Sequence, residues 1–394
     1  MRRSFCATRP SQLFGLSFPT PSNDPLAGTV DGSVPILFIL QVVVGLPAAL
    51  WFYKCLMLVA FQRKIIYLPS VPPGTRNESL EDGERTTARD SSLVGMDWTE
   101  IELVSSTPTR VLRLPTSLRG IELSWSKPET VSKPKIVVIY LQGNAGTPLL
   151  RIPLFRQLLR PDLHRSTSAR SAPGSLSLEN LTILAMAPRS FWLSTRSTPT
   201  EASVLADYAS VWRHAYKRHG ASAKYVLYGH SLGGAAASIL ALDEQQRAPS
   251  NPRISGLILE NPLPSIPYMV KALYPQKWLP YHYLGFAAFD RWDAIGRLAQ
   301  LARDPQLKPK CEIVPTLWIR SGRDEIIPTG PDDGVKTMFG YRRTAIERNG
   351  VSGNEKAKWV DIPSSLHDTA FMERKWRDEI RSFLSELEAK GTCD

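Results

Sequence analysis

Gly229-His230-Ser231-Leu232-Gly233 is a G-x-S-x-G pentapeptide set between two contrasting segments. Before it, Lys224-Tyr225-Val226-Leu227-Tyr228 reads as a buried strand; after it, Gly234-Ala235-Ala236-Ala237-Ser238 reads as a tightly packed helix. The pentapeptide alone says little, because such strings arise by chance. The context constrains the fold. A strand that turns straight into a helix leaves no room for bulky side chains, and Gly229 and Gly233 supply that room. The turn lifts Ser231 above a sheet edge, at a helix N-terminus whose dipole favours negative charge. A serine that merely caps the helix is the plainer alternative.

The surrounding chain supports a sheet-based reading. Ile101 to Val104 and Ile121 to Trp125 look like early strands. Ile136 to Leu141 (IVVIYL) is continuously apolar, as a strand buried on both faces should be. Leu181 to Met186, Tyr225 to Tyr228, Ile254 to Leu259, Pro315 to Ile319 and Trp359 to Ile362 follow, with helical stretches between the later ones. This alternation predicts an α/β fold, a mostly parallel central sheet with helices on both faces. Thr198-Pro199-Thr200-Glu201 predicts a capping box with proline at the first helical position, opening a helix through Ala206 and Trp212. Arg160 to Glu179 is Ser/Arg-rich, lacks periodicity and reads as a surface insertion.

A serine hydroxyl is a poor nucleophile at neutral pH and needs a base held by a carboxylate. In such a sheet the order is Ser, acid, His. Only His282 and His367 follow Ser231. His282 lies in an aromatic stretch and suits packing or a lid. His367 follows the last strand through Pro363-Ser364-Ser365-Leu366, at a strand's C-terminal end, where catalytic loops gather. Asp324 is the favoured acid, one strand earlier, after Arg320-Ser321-Gly322-Arg323. Glu260, ending an earlier strand, is the alternative. Their bland readings are an ion pair of Asp324 with Arg323, and a turn carboxylate beside Asn261-Pro262. Oxyanion donors are expected from the backbone N–H of Leu232 and of Asn144, in the loop Gln142-Gly143-Asn144-Ala145-Gly146. A simple glycine turn is the alternative for that loop. No metal or organic cofactor is implied.

Ahead of the sheet, Gly32 to Tyr53 carries no charge over roughly 22 residues, enough to cross a hydrocarbon core. Lys54 and a second apolar stretch, Cys55 to Phe61, follow. Few soluble helices are apolar all round at this length. The expected organisation is a flexible tail over 1–31, a transmembrane anchor over 32–61, a linker over 62–97 and a catalytic domain over 98–390, with a possible lid over 264–310. Lys54, Arg63 and Lys64 after the span favour a cytosolic domain; the sequon Asn77-Glu78-Ser79 favours a lumenal one.

The net charge of +11 favours anionic partners. No Lys/Arg block is dense enough for a nucleic-acid footprint, so acidic lipid headgroups fit better. The cysteines Cys6, Cys55, Cys311 and Cys393 have neither metal-site nor disulfide-framework spacing.

Together these residues resemble the membrane-anchored α/β-hydrolases of the fungal bud-emergence (Bem) type and their animal relatives. The likeness runs through Phe61-Gln62-Arg63-Lys64-Ile65-Ile66-Tyr67-Leu68-Pro69, Gly143-Asn144-Ala145-Gly146 and Ser197-Thr198-Pro199-Thr200-Glu201. It continues in Gly229 to Gly234, Glu260-Asn261-Pro262 with Ser265-Ile266, Ser321-Gly322-Arg323-Asp324-Glu325 and His367-Asp368-Thr369. The resemblance implies the α/β-hydrolase fold and a single-pass membrane serine hydrolase. Lysophospholipids or monoacylglycerols are the implied substrates, and endoplasmic reticulum or plasma membrane the implied location. The chain departs from the family at Gln142, where histidine is common, and at Arg189-Ser190-Phe191-Trp192, where Arg-Gly-aromatic-Gly is usual. A protein acyl-thioesterase shares the same chemistry, and a non-catalytic membrane scaffold would keep only the fold. Residues Tyr268 to Trp292 are rich in aromatics and either cap the site or pack in the core. The sequence specifies no oligomeric state.

Overall fold

The computed structural model describes residues 35–78, 95–108, 114–125, 135–160, 181–245, 253–303, 314–348 and 356–389. The expected N-terminal tail and most of the insertion over 160–179 lie outside the described residues. By its contacts the chain forms two units, Met1–Leu50 and Trp51–Asp394.

The described part of the first unit is helical and apolar, and belongs to one helix, α1, over Ile36–Ala60. Its 25 residues have mean hydropathy 2.1 over the best 18-residue window, and none of that window is buried. It is long and apolar enough to span a bilayer.

The second unit is built on eight strands among the described residues: β1 Met96–Val104, β2 Ser117–Trp125, β3 Ile136–Leu141, β4 Leu181–Met186, β5 Lys224–His230, β6 Gly256–Glu260, β7 Thr316–Ser321 and β8 Ala357–Ile362. They form one sheet in the order β1-β2-β4-β3-β5-β6-β7-β8. β1 to β2 and β2 to β4 are antiparallel; every later pairing is parallel. The uninterrupted apolar runs follow from this. β3, β4 and β6 are buried along their whole length, because helices cover both faces of a parallel sheet. β1, at the edge, buries only Met96, Ile101 and Leu103.

Among the described residues, seven further α-helices accompany the sheet: α2 Gln62–Ile66, α3 Ile152–Leu159, α4 Glu201–His219, α5 Leu232–Gln245, α6 Ile266–Leu273, α7 Ala294–Arg303 and α8 Gly334–Glu347; α9 Arg374–Ala389 closes the described chain. The helix expected from the capping box forms two residues later than Thr198 would place it. Thr200 is the N-cap; its Oγ1 accepts from the Ser203 N–H at 3.2 Å while the Thr200 N–H donates to Ser203 Oγ at 2.9 Å. Glu201 is not free to complete a box from Thr198, because its carboxylate accepts from the N–H groups of Arg291 and Trp292.

Residues 62–78, placed in the linker on sequence, pack on the loop after β3. The Leu68 N–H donates to the Asn144 carbonyl at 2.8 Å, and the Gly146 N–H to the Val71 carbonyl at 2.8 Å. The possible lid splits into α6, a 3-10 segment over Pro280–Ala287, and α7. Its aromatics split as well. Tyr281 and Trp292 are buried, whereas Trp278, Tyr283, Phe286 and Phe289 are exposed.

Candidate active site

Ser231 sits between the last residue of β5 and the first of α5. Its φ is +54°, a left-handed conformation that a residue with a Cβ adopts at a cost of about 1–2 kcal/mol. The neighbours permit so sharp a turn. A Cβ on Gly229 would lie 2.3 Å from the Gly233 carbonyl oxygen, and one on Gly233 would lie 2.0 Å from that of Leu141. Glycine is therefore required at both positions for β5 to enter α5. Hydrogen bonds lock the turn: the Ser231 N–H donates to the Glu260 carbonyl at 3.1 Å, and the Ser231 carbonyl accepts from Gly234 at 2.9 Å and Leu263 at 2.9 Å.

His367 and Asp324 come together from the loops after β8 and β7. His367 Nδ1 lies 2.9 Å from Asp324 Oδ1 and 3.0 Å from Oδ2. Both side chains are buried. Asp324 Oδ1 also accepts from the N–H groups of Ile326 and Ile327, each at 2.9 Å, and Oδ2 from Arg320 at 2.5 Å. Burial pushes the Asp324 carboxyl up, but the His367 hydrogen bond and charge and the two backbone donors outweigh it, so it titrates below the usual carboxylate range. A carboxylate so held keeps an imidazole in one orientation with Nε2 turned away. Nε2 is buried and has no hydrogen-bond partner. Ser231 Oγ does not bond to it in this state; such contacts commonly tighten only when substrate is bound.

The ion pair read for Asp324 with Arg323 is made by Arg320 instead. Arg320 is 2% exposed and satisfied by Asp324, Asp333 Oδ2 at 3.0 Å, and the Ile327 and Pro328 carbonyls, each at 2.9 Å. Glu260, the alternative acid, points elsewhere. Its carboxyl accepts from Tyr228 Oη and from Trp376 Nε1. Burial raises its pKa, the opposite of Asp324.

Asn261 was read on sequence only as part of the motif Glu260-Asn261-Pro262, without a role of its own, yet it joins three elements. Buried, with φ +42°, it accepts the Ser321 N–H at 2.8 Å and donates to Ser321 Oγ and to the His367 carbonyl, each at 2.9 Å. His230 reaches the same carbonyl through Nε2 at 3.1 Å, and its ring lies 4.8 Å from that of His367. Burial, then Arg151 and His367, push the His230 pKa down to about 3. Asp368, beside it, is pushed up by burial, but Arg151 and His230 hold it down at about 2. His230, His367 and Asp368 offer three possible metal-ligand atoms within 4.8 Å of one another. All three groups already have partners: Arg151 on Asp368 at 2.7 Å, the His367 carbonyl on His230, and Asp324 on His367 Nδ1 at 2.9 Å. An Asn or a His before a catalytic loop carries no marker of this cross-bracing in the sequence.

Of the expected oxyanion donors, Leu232 directly follows the serine and Asn144 lies in the loop after β3. Leu232 opens α5, where the first N–H groups have no intrahelical acceptor. The loop after β3 passes over the elbow: a Cβ on Gly143 would lie 3.6 Å from Ser231 Cβ and 3.5 Å from His230 Nδ1. A narrow, mainly apolar pocket opens beside the elbow, walled by Tyr67, Gly143, Phe191, Tyr208, Leu232 and Trp292. Trp292 Nε1 donates to Tyr67 Oη at 3.1 Å across this wall.

Comparison with known proteins agrees with this architecture. Protein bem46 of Schizosaccharomyces pombe is 24% identical over 330 residues, covering 84% of this chain and 87% of that protein. The alpha/beta hydrolase domain-containing protein WAV2 of Arabidopsis thaliana is 21% identical over 324 residues, covering 79% and 82% respectively. The chain has the α/β-hydrolase fold and is similar in sequence to proteins of the Bem46 type. An alpha-beta hydrolase from Vibrio vulnificus matches the fold with a TM-score of 0.50 at 15% identity, over 82% of this chain and 92% of that one. No family model matches the chain.

Against the Bem46 type, the two departures now have structural meaning. Gln142, in place of histidine, is buried and donates from Nε2 to the Gly146 carbonyl at 3.4 Å, spanning the loop that carries Asn144. Ser190 and Trp192, in place of two glycines, have φ of +71° and +44°. The backbone keeps the left-handed turns that glycine would take without strain, and the side chains are accommodated around them.

Proposed function

We propose that this chain of the α/β-hydrolase fold is a serine hydrolase of carboxylic esters, with Ser231 as nucleophile, His367 as base and Asp324 as the orienting acid. The observation that carries this is the buried His367–Asp324 pair, at 2.9 Å, following the left-handed Ser231 elbow in the order Ser, Asp, His.

In the first step His367 Nε2 takes the Ser231 hydroxyl proton as Oγ attacks the ester carbonyl. The carbonyl π pair moves onto oxygen, and the backbone N–H groups of Leu232 and Asn144 stabilise the oxyanion. Collapse expels the alcohol, protonated by the His367 imidazolium, and leaves an acyl-serine. Water attacks by the same route and returns the proton to Oγ. Asp324 stabilises the imidazolium in both steps. Arg320, Ile326 and Ile327 hold Asp324, and so act on the base through it.

The substrate reading combines the apolar pocket with α1, read as a membrane anchor. A single-chain lipid ester, of lysophospholipid or monoacylglycerol type, meets both. The membrane would be that of the endoplasmic reticulum or the cell surface. A fluorophosphonate probe should label the wild-type protein in membranes and leave Ser231→Ala unlabelled. Equal labelling of the two, or none of either, would overturn the assignment.

A further inference from the structure

We propose that the face formed by Leu273, Trp278, Tyr283, Phe286 and Phe289 is a second membrane contact, seated in the headgroup layer beside the end of α1. It rests on the reading of α1 as a membrane span.

On sequence this aromatic stretch either caps the site or fills the core; these five side chains are exposed and do not fill the core. Their exposures are 65, 70, 55, 80 and 61%. Among the described residues after Ala60, every aromatic side chain more than half exposed lies between 278 and 289. A soluble surface scatters such residues singly; a cluster marks an interface.

The occupant follows from what lies alongside. The segment packs on the C-terminal part of α1 and on α2. Trp278 meets Trp51 with ring centroids 5.9 Å apart, and Lys54 Nζ lies 4.5 Å from the Tyr281 ring centroid. Gln62 and the chain at 287–289 exchange two hydrogen bonds: Gln62 Nε2 to the Ala287 carbonyl at 3.2 Å, and the Phe289 N–H to Gln62 Oε1 at 2.7 Å. Arg63 pairs with Asp290 at 3.0 Å. Ile36 to Tyr53 is uncharged and Lys54 is the first charge after it. Those eighteen residues span about 27 Å of helix, close to a hydrocarbon core, so the headgroup layer falls near Lys54. Tyr274, Trp278 and Tyr281 stand beside that level.

The chemistry of the face suits that layer. Tyrosine and tryptophan favour the membrane–water boundary, and basic side chains favour its phosphates. Lys271, Lys277 and Arg291 are exposed around the aromatics. The only acid between Ile266 and Arg291 is Asp290, which is buried and paired with Arg63. A protein partner would be met by a mixed-charge rim. The segment also ends at Trp292, which walls the pocket with Tyr67. A face held at the headgroups therefore brings that wall next to single-chain lipid.

The test uses the full chain in phosphatidylcholine/phosphatidylserine vesicles, with Cys6, Cys55, Cys311 and Cys393 replaced by serine. Single cysteines are introduced as Trp278→Cys, Tyr283→Cys and Phe286→Cys, with Val43→Cys in α1 and Ser222→Cys ahead of β5 as references. Each is spin-labelled, and collision with oxygen is compared with collision with a water-soluble nickel chelate. The expected result is a nickel accessibility at 278, 283 and 286 lower than at 222 by about threefold or more, with oxygen accessibility raised. Labels at 278, 283 and 286 as open to nickel as 222, with 43 protected, would overturn the proposal and leave the span standing. A label at 43 open to nickel would remove the span, and the proposal with it.

Discussion

His230 should make the fold lose stability in mild acid, and replacing it should remove much of that loss. The imidazole is 2% exposed, faces Arg151, His367 and Asp368, and is held neutral down to about pH 3. In the unfolded chain it titrates near 6.5. Its folded pKa is thus depressed. The contribution to stability is complete above 6.5 and is lost as the pH falls from 6.5 toward 3, because the unfolded chain binds a proton that the fold refuses. One pH unit of such a difference is worth about 1.4 kcal/mol, so between pH 6.5 and 4.5 the loss is roughly 2 kcal/mol. His230→Gln keeps a donor for the His367 carbonyl and cannot titrate. Urea unfolding of the full chain in detergent, at half-unit steps from pH 7 to 4.5, should show the wild type falling faster than the variant by roughly 2 kcal/mol over that window. Aspartates contribute little there, since Asp324 and Asp368 have depressed values and their unfolded values lie near 3.9. Parallel curves for the two proteins would refute a neutral buried His230.

Three more substitutions separate roles that adjoin in space. Asp324→Asn should reduce turnover of a water-soluble aryl ester by on the order of 10⁴, as loss of the orienting acid does in a triad, while Glu260→Gln stays within about threefold because an amide still accepts from Tyr228 and Trp376. The reverse ranking would make Glu260 the acid. Gly143→Ala should melt within a few degrees of wild type, since its Cβ would meet only ordinary contacts at 3.5 Å or more, yet lose about 10² in kcat/KM because the methyl stands over Ser231. A melting loss matching the activity loss would show that the loop needs glycine for folding instead.

The fold was legible because its strands are buried on both faces. β3 and β4 match their apolar runs end to end, and a continuous apolar run needs no partner to announce it. The strands that matter most to the site were read too short. β5 runs to His230 and β7 to Ser321, past polar residues that periodicity treats as loop. Those residues are buried because other loops satisfy them: Arg320 by Asp333 and two carbonyls, Ser321 by Asn261. Long-range partners of this kind leave no local pattern. The start of α4 was misread for a related reason. The carboxylate of Glu201 could have capped its own helix, but the N–H groups of Arg291 and Trp292 claim it. Ser231, Asp324 and His367 could be ordered along the chain; their cross-bracing through Asn261 and His230 could not.

The turn at Arg189-Ser190-Phe191-Trp192 shows how a departure in sequence can preserve a shape. Loss of two glycines would by itself suggest a change in the shape of the neighbouring wall. The backbone instead holds +71° at Ser190 and +44° at Trp192, and Phe191 still lines the pocket. A left-handed side chain costs about 1–2 kcal/mol at each position. At Ser190 the hydroxyl donates to the Ser197 carbonyl at 2.5 Å and accepts the Ser197 N–H at 3.0 Å. At Trp192 the indole is 1% exposed and donates to the Glu78 carbonyl at 2.6 Å. Burying a tryptophan, whose truncation typically costs about 3–5 kcal/mol, outweighs a strain of that size. Arg189 fixes the turn from behind, bonding buried Asp207 through its backbone N–H, Nε and a terminal nitrogen. The conformation is therefore imposed by tertiary partners where glycine would merely have allowed it. What the substitutions add is rigidity in the wall beside Ser231.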